Sequence, residues 1–306
     1  MASTLSRPMN DEHQDAPAIV MTGVTKRFRT PTGGIYTALQ DLDLTIQRGE
    51  FCAVVGPTGC GKSTTLTLVS GLERPSKGEV LVHGTPVHGI NPDVGFMFQA
   101  DAVLPWKTVL GNIAAGPLFR GISKPRALAS AHDWIRRVGL TGFEDRHPHQ
   151  LSGGMRKRVA LAQSLINEPR VLLMDEPFSA LDVQTRALMS TELLTIWDQT
   201  RPAVVFVTHD LEEAIALSDT VVVMTAGPAT VKAIYHIDLP RPRTVQEIRF
   251  DPTFIEIYQR IWESLRDEVQ LAYARQTTAD DGPGSRASSL IPLAAAAPMS
   301  ASTTEK

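Results

Sequence analysis

Three things are scarce in this 306-residue chain, and each scarcity removes a class of protein. Only two cysteines occur, Cys52 and Cys60, close together across an apparent strand and turn. They make no disulfide framework, so a reducing, cytosolic setting is expected. No stretch approaches the ~18 apolar residues of a membrane-spanning helix, and the polar opening MASTLSRPMNDEHQD holds no apolar signal core. Any membrane role is expected to come through a partner. Basic residues are not in excess: 30 Lys and Arg stand against 33 Asp and Glu, a formal net charge of -3. That is not the basic footprint of a nucleic-acid binder, and nucleic acid is not expected as a partner. Internal repeats are also lacking.

What is present suffices for a full core, with 42% hydrophobic residues. Residues 1–16 and 275–306 are polar or rich in Thr, Ser, Ala, Pro and Gly, and both are expected to be disordered tails around a body at 17–274. Leu42, Leu44 and Ile46 alternate with polar neighbours, and VLVHGTPV at 80–87 reads as two short strands around a glycine turn, which predicts an antiparallel layer. Phe51–Val55, Val171–Met174, Ala203–Val207 and Val221–Met224 are short and continuously apolar, as strands buried on both faces of a parallel sheet are. Helical patterns lie between them, at Lys62–Ser70, around Leu128 to Val138, and at Val159–Ile166, Leu188–Trp197 and Leu211–Leu217. The fold class is therefore α/β, with an antiparallel β subdomain and an inserted helical portion at about 100–165.

One motif carries chemistry plainly. Gly56-Pro57-Thr58-Gly59-Cys60-Gly61-Lys62-Ser63 fits the G-x-x-x-x-G-K-[ST] phosphate loop, in its required place between a buried strand and a helix. The glycines let backbone N–H groups converge on a phosphate, and the helix start, with Thr64 in its first turn, adds its positive end. Lys62 is expected to bridge the β- and γ-phosphates, a charge-assisted bond of about 1.5–3 kcal/mol, and Ser63 to ligate Mg²⁺. Cys60 occupies a position open to any residue; it reads as a bystander at which a thiol reagent would block nucleotide.

Open α/β sheets bind ligands at the carboxyl ends of their strands, and the apolar runs end there in polar residues. Asp175-Glu176 follows Met174: one acid can hold Mg²⁺ through water, the next can activate an attacking water. Thr208-His209-Asp210 follows Val207, where a histidine can reach a γ-phosphate. The other seven histidines, His147 and His149 included, read as solvated or core.

A second glycine turn lies far downstream, in LSGGM. Ser152 before Gly153-Gly154 reads as the cap of a helix whose amides form another anion site. Taken with the phosphate loop, the glutamine of MFQ, VLLMDEP, SALD and VTHD, it resembles the ATP-binding cassette of ABC transporters over nearly the whole body. That resemblance implies that LSGGM meets the γ-phosphate of ATP held by another copy, so that two chains sandwich two ATP molecules. It further implies that Gln99 couples Mg²⁺ and the attacking water to membrane subunits, that Glu176 is the general base, and that His209 touches the γ-phosphate. The resemblance also implies that Asp182 lies in a dimer-crossing SALD loop and that Phe28 of VTKRF stacks on adenine, with Tyr36 as its rival.

ADAVLPWKTVLGNI after Gln99, and LPRPR with a closing helix through Ile261-Trp262, resemble the nitrate, sulfonate and taurine importer branch. The resemblance implies a peripheral subunit on the cytoplasmic face of the inner membrane, joined to permease subunits and an extracytoplasmic solute-binding protein. Leu104-Pro105-Trp106 would receive the permease. Phe254, Tyr258, Ile261, Leu265 and Val269 form a stripe expected to pack on the chain's own domain. Two rivals are a soluble ABC ATPase acting on nucleic acid or ribosomes, and a P-loop small-molecule kinase, which has no use for LSGGM or SALD.

Overall fold

The structure, a computed structural model, describes residues 16–100 and 102–280, with side chains to residue 275. The chain begins with β1 (Ile19–Arg29), β2 (Ile35–Ile46) and β3 (Phe51–Val55), then α1 (Lys62–Ser70), β4 (Lys77–Val82), β5 (Thr85–Pro86) and β6 (Val94–Met97). Four helices follow: α2 (Val109–Ile113), α3 (Ala115–Phe119), α4 (Lys124–Arg137) and α5 (Gly153–Leu165). Strands and helices then alternate through β7 (Val171–Asp175), α6 (Val183–Thr200), β8 (Ala203–Val207), α7 (Leu211–Leu217) and β9 (Thr220–Met224). The described chain closes with β10 (Val231–His236), α8 (Val245–Ile248) and α9 (Pro252–Asp280).

Two sheets form. The first is antiparallel, in the order β2-β1-β4-β5, and β2 alternates buried and exposed residues as its sequence predicts. The second runs β10-β9-β3-β8-β7-β6, with β9, β3, β8, β7 and β6 parallel and β10 antiparallel at the edge. Every residue of β3, β8 and β9 is buried, which is why those runs are apolar throughout. One face of β3 packs Cys52 and Val54 against Leu42, Leu44 and Ile46 of the antiparallel layer. Phe51 turns to the helical side, meeting Trp197 edge-on with centroids 5.5 Å apart. Each such ring fully buried contributes about 1.5–3 kcal/mol.

Polar caps set where the helices begin. Ser152, Asp182 and Asp210 accept from the backbone N–H of Met155, Thr185 and Glu213, so α5, α6 and α7 each start directly after a loop of the candidate site. The stripe on α9 packs inward as expected: Phe254, Ile261 and Leu265 are buried against α7 and β9. α9 runs on to Asp280, beyond the expected end of the body at 274. Apart from that stretch and Ala16, the two expected tails lie outside the described residues.

Candidate functional site

The phosphate loop leaves β3 at Val55 and enters α1 at Lys62. Gly61 sits at φ +123°, and a Cβ there would fall 2.8 Å from Leu39 Cδ2 and 3.0 Å from the Ala38 carbonyl. Only glycine lets the loop pass so close under the β layer. No side chain caps α1, so its leading amides have no side-chain acceptor and face the loop's hollow with the positive end of the helix dipole. Lys62 is nearly buried and donates to the carbonyls of Gly56 at 2.8 Å and Pro57 at 2.9 Å. A phosphate oxygen, being charged, outbids these neutral acceptors roughly twofold in bond strength.

Ser63 Oγ donates to Asp175 Oδ1 at 3.0 Å, joining α1 to the end of β7. Burial pushes the Asp175 carboxyl up; the Ser63 bond opposes this, Glu176 adds to it and Lys62 opposes it. Glu176 comes next, at φ +43°, a backbone that costs a non-glycine residue of order 1–3 kcal/mol. Its own N–H, bonded to the Val207 carbonyl at 2.9 Å, and Ser179 Oγ, bonded to its carbonyl at 3.0 Å, hold it there. Thus placed, Glu176 Oε2 accepts from Gln99 Nε2 at 3.4 Å and lies 3.2 Å from His209 Nδ1.

Apart from Asp175, which meets it through its Ser63 contact, these groups share one hollow of about 530 Å³, lined by Thr58, Gly59, Gly61, Lys62, Ser63 and Thr64 on one side. Gln99, Glu176 and His209 line the other, with Tyr36 and Ala38 from β2. Gly56, Pro57 and Cys60 shape the loop from beneath and do not line it. The expected blocking by a thiol reagent is corrected by this geometry. Cys60 is 2% exposed, and burial raises its thiol above the ordinary range, so it is both screened and protonated.

Several expected site residues lie outside this hollow. Ser152, Gly153 and Gly154 open α5, with Ser152 exposed. They pack beside the SALD segment instead: a Cβ on Gly154 would come within 2.9 Å of Thr185 Cγ2. Asp182 is exposed, caps α6, and is held below the usual carboxylate range by the Thr185 amide. Phe28 and Tyr36 are direct cross-strand partners, so both rings stand on one face of the antiparallel sheet. Tyr36 lines the hollow and donates to the Gly59 carbonyl at 3.3 Å, whereas Phe28 carries the Lys26 ammonium 4.8 Å from its ring centroid.

Other supports went unforeseen. Thr208 Oγ1 donates to Glu213 Oε2 at 2.7 Å beneath His209, and Ser190 Oγ reaches Glu213 Oε1 at 3.4 Å. Burial pushes Glu213 up to about 7. Arg186 bonds Asp210 at 3.1 Å and the Leu181 carbonyl at 3.0 Å, tying the histidine loop to SALD. Lys157 of α5 donates to the Gln99 carbonyl at 2.8 Å. Most of these contacts join residues whose pairing depends on how distant loops fold together; only the five-residue spacings of Thr208 to Glu213 and of Leu181 to Arg186 are local.

Residues 39–179 match the ABC transporter family. An uncharacterized ABC transporter ATP-binding protein of Methanocaldococcus jannaschii is 46% identical over 246 residues, covering 80% of this chain and 90% of that protein. This chain belongs to the ATP-binding proteins of ABC transporters. The nitrate import ATP-binding protein of Synechococcus elongatus is 43% identical over 239 residues, 76% of this chain and 86% of that protein. Among solved structures, a dimeric ATP-binding cassette in a post-hydrolysis state bound to ADP and Pi gives a TM-score of 0.65 at 29% identity, covering 72% of this chain and 100% of that one. The cassette described here is therefore an ATP-binding ABC subunit, an ATPase whose hydrolysis is coupled to transport.

Proposed function

We propose that this ABC subunit powers import of a small solute of the nitrate, bicarbonate, sulfonate or taurine kind, working as a pair of copies beneath a separate permease. The observation that carries the reading is the division of the site. The hollow gathers Lys62, Ser63, Gln99, Glu176 and His209, while Ser152, exposed, and Gly153 and Gly154, half-buried, lie outside it at the start of α5. A second copy offering its LSGGM turn would complete each hollow, so that two ATP molecules lie between two chains. Relatives named for nitrate import and bicarbonate transport support the solute class; the chain spans 44% of the bicarbonate relative.

The chain's own groups divide the work. Loop amides and Lys62 hold the β- and γ-phosphates, His209 and a partner's LSGGM turn hold the γ-phosphate, and Glu176 takes the proton of the attacking water. The Gln99 and His209 contacts aim that carboxylate. Ser63, Asp175 and the Gln99 amide oxygen would hold Mg²⁺, a set of oxygen donors suited to a hard cation, and the Ser63–Asp175 contact already joins two of them. When bound, Mg²⁺ neutralises charge on the phosphoryl oxygens. Adenine stacks on Phe28, while Tyr36 braces the loop through Gly59.

The helical portion supplies a docking surface for the permease. Asn112 is fully buried, and its side chain bonds Leu104 at both N–H and carbonyl, together with the carbonyls of Lys107 and Thr108. The loop so fixed holds out Trp106, which is 72% exposed. A large ring held outward on a rigid loop fits a receptor for a permease helix, not the core tryptophan that a simple turn would bury. Among the described residues no helix is long and apolar enough to cross a membrane, so attachment to the cytoplasmic face of the membrane would run through this surface.

The test is to tag the chain in its native cell, solubilise membranes in mild detergent and identify what co-purifies. A multi-span permease in equal copy number, lost on Trp106→Ala, is the expected result. A chain recovered wholly soluble with ribosomes or nucleic acid overturns the transport reading and leaves the ATP site intact.

A further inference from the structure

The end of the central sheet opposite the phosphate loop carries a second hollow, of about 410 Å³. Its walls are the segments leading into β3, β7 and β8, the turn between β4 and β5, and helix α4. Four arginines line it, Arg48, Arg137, Arg170 and Arg201, and among the described residues one acid does, Glu168. Arg201 also pairs with Asp198 at 2.7 Å, and Arg48 Nε donates to the Ala16 carbonyl at 2.8 Å. Trp134 adds an apolar wall, with the Arg137 guanidinium 5.0 Å from its ring centroid. Arg137 and Arg170 have no carboxylate partner among the described residues, and two like charges beside one space favour an anion between them.

A buried group marks the same place independently. His83 is 7% exposed and sits at φ +48°, its N–H bonded to the Ala18 carbonyl at 2.9 Å. Both of its ring nitrogens are buried with no hydrogen-bond partner among the described residues. A buried polar group left unsatisfied is costly, and its presence beside a hollow calls for a ligand that bonds it. Burial holds the imidazole down at about 4, with Arg170 and Arg48 adding to the effect and Asp93 opposing it, so the ring is neutral at pH 7 and has one donor and one acceptor to offer.

We propose that this hollow binds a small organic anion bearing two or more negative charges, held by Arg137 and Arg170 and hydrogen-bonded by His83. The volume falls within the ~300–1,000 Å³ of small-molecule sites, too large for a lone halide, and the Trp134 wall suits a carbon skeleton. Di- and tricarboxylates and phosphorylated metabolites share the required oxyanion chemistry. Such a ligand would tie α4 to the sheet and to the antiparallel layer at a point distant from ATP.

The test uses the full chain labelled with ¹⁵N-histidine, titrated near pH 7 without magnesium with citrate and, separately, with inorganic phosphate. His83→Gln assigns the signal. A saturable shift of the His83 ring signals at millimolar citrate is expected, weakened about tenfold or more by Arg137→Ala with Arg170→Ala. Saturation by phosphate as well identifies a reader of the oxyanion alone; saturation by citrate only identifies a polycarboxylate site. If the double variant fails to fold, seen as collapsed histidine dispersion, Arg137→Ala alone on its exposed helix face carries the test. No saturable shift with either anion, or the same shift without the arginines, overturns the proposal. So does movement of the His83 signals when Asp11, Glu12 and Asp15 are neutralised with no anion added, which would assign the hollow to the chain's own acidic segment.

Discussion

The chain places a glycine turn before a helix twice, and the two are built in opposite ways. At the phosphate loop the helix start is uncapped, the lysine is folded inward, and Gln99, Glu176 and His209 from three other strand ends close around the space. At LSGGM the helix is capped by Ser152, the serine is exposed, and the groups around it are another surface segment. On the proposed reading the first is a chemical site awaiting one wall, and the second is that wall in another copy. Lys62 and the Thr208–Glu213–Ser190 contacts support the first turn, while the half-buried Arg186 and the buried Lys157 of α5 tie the two sides together.

The largest test of this contrast is Glu176→Gln. Loss of the general base should slow steady-state ATP turnover by about 10²–10⁴ while nucleotide stays bound. Near-normal turnover would mean that the strained Glu176 backbone serves something else. Next comes Ser152→Phe, made in the Glu176→Gln background. Light scattering with MgATP should show a dimer before this change and a monomer after it, while equilibrium dialysis finds ATP still held by the single chain. A dimer that survives the phenylalanine would remove LSGGM from the second wall.

A third test addresses the buried side. The folded-state carboxyl of Glu213 is raised from 4.5 to about 7, so its contribution to stability is complete below pH 4.5 and is lost as pH rises to 7. Glu213→Gln keeps an acceptor for Thr208 and cannot ionise. The variant should match the parent at pH 4.5 and exceed it by about 3 kcal/mol at pH 8, read from denaturant midpoints. An equal gain at both pH values would show that ionisation is not what limits this support.

The two turns also differ in how far they were legible. The phosphate loop and its strands could be read because two-sided burial demands continuous apolar runs, and Asp175, Glu176 and His209 fall where those runs stop. β6 escaped notice, since Val94–Met97 is short, contains Gly95, and is buried only at Met97. It is the strand that delivers Gln99, whose place in the site came from resemblance alone. α6 begins at Val183, five residues before the apolar pattern at Leu188, because its start is set by the Asp182 cap and not by burial. LSGGM could be read as an anion-binding helix start, but a sequence says nothing of whose anion. The arginine-walled hollow was invisible: Arg48, His83, Arg137, Arg170 and Arg201 are scattered singly, and only the fold gathers them.

The smallest effect separates two neighbours on the antiparallel sheet beside the first turn. Phe28 and Tyr36 face each other across β1 and β2, and either ring could meet adenine. Tyr36 is already committed by its bond to Gly59, so its removal should loosen the loop that holds phosphate. The Phe28 side chain makes no hydrogen bond; its ring carries the Lys26 ammonium and would offer adenine only stacking, worth about 0.5–1.5 kcal/mol. Phe28→Ala should therefore weaken ATP binding about three- to tenfold and leave binding of inorganic triphosphate unchanged, because triphosphate has no base. Tyr36→Ala should weaken both alike, and Tyr36→Phe should reproduce that loss only if the Gly59 bond is what matters. A triphosphate loss confined to Phe28→Ala would reverse the two assignments.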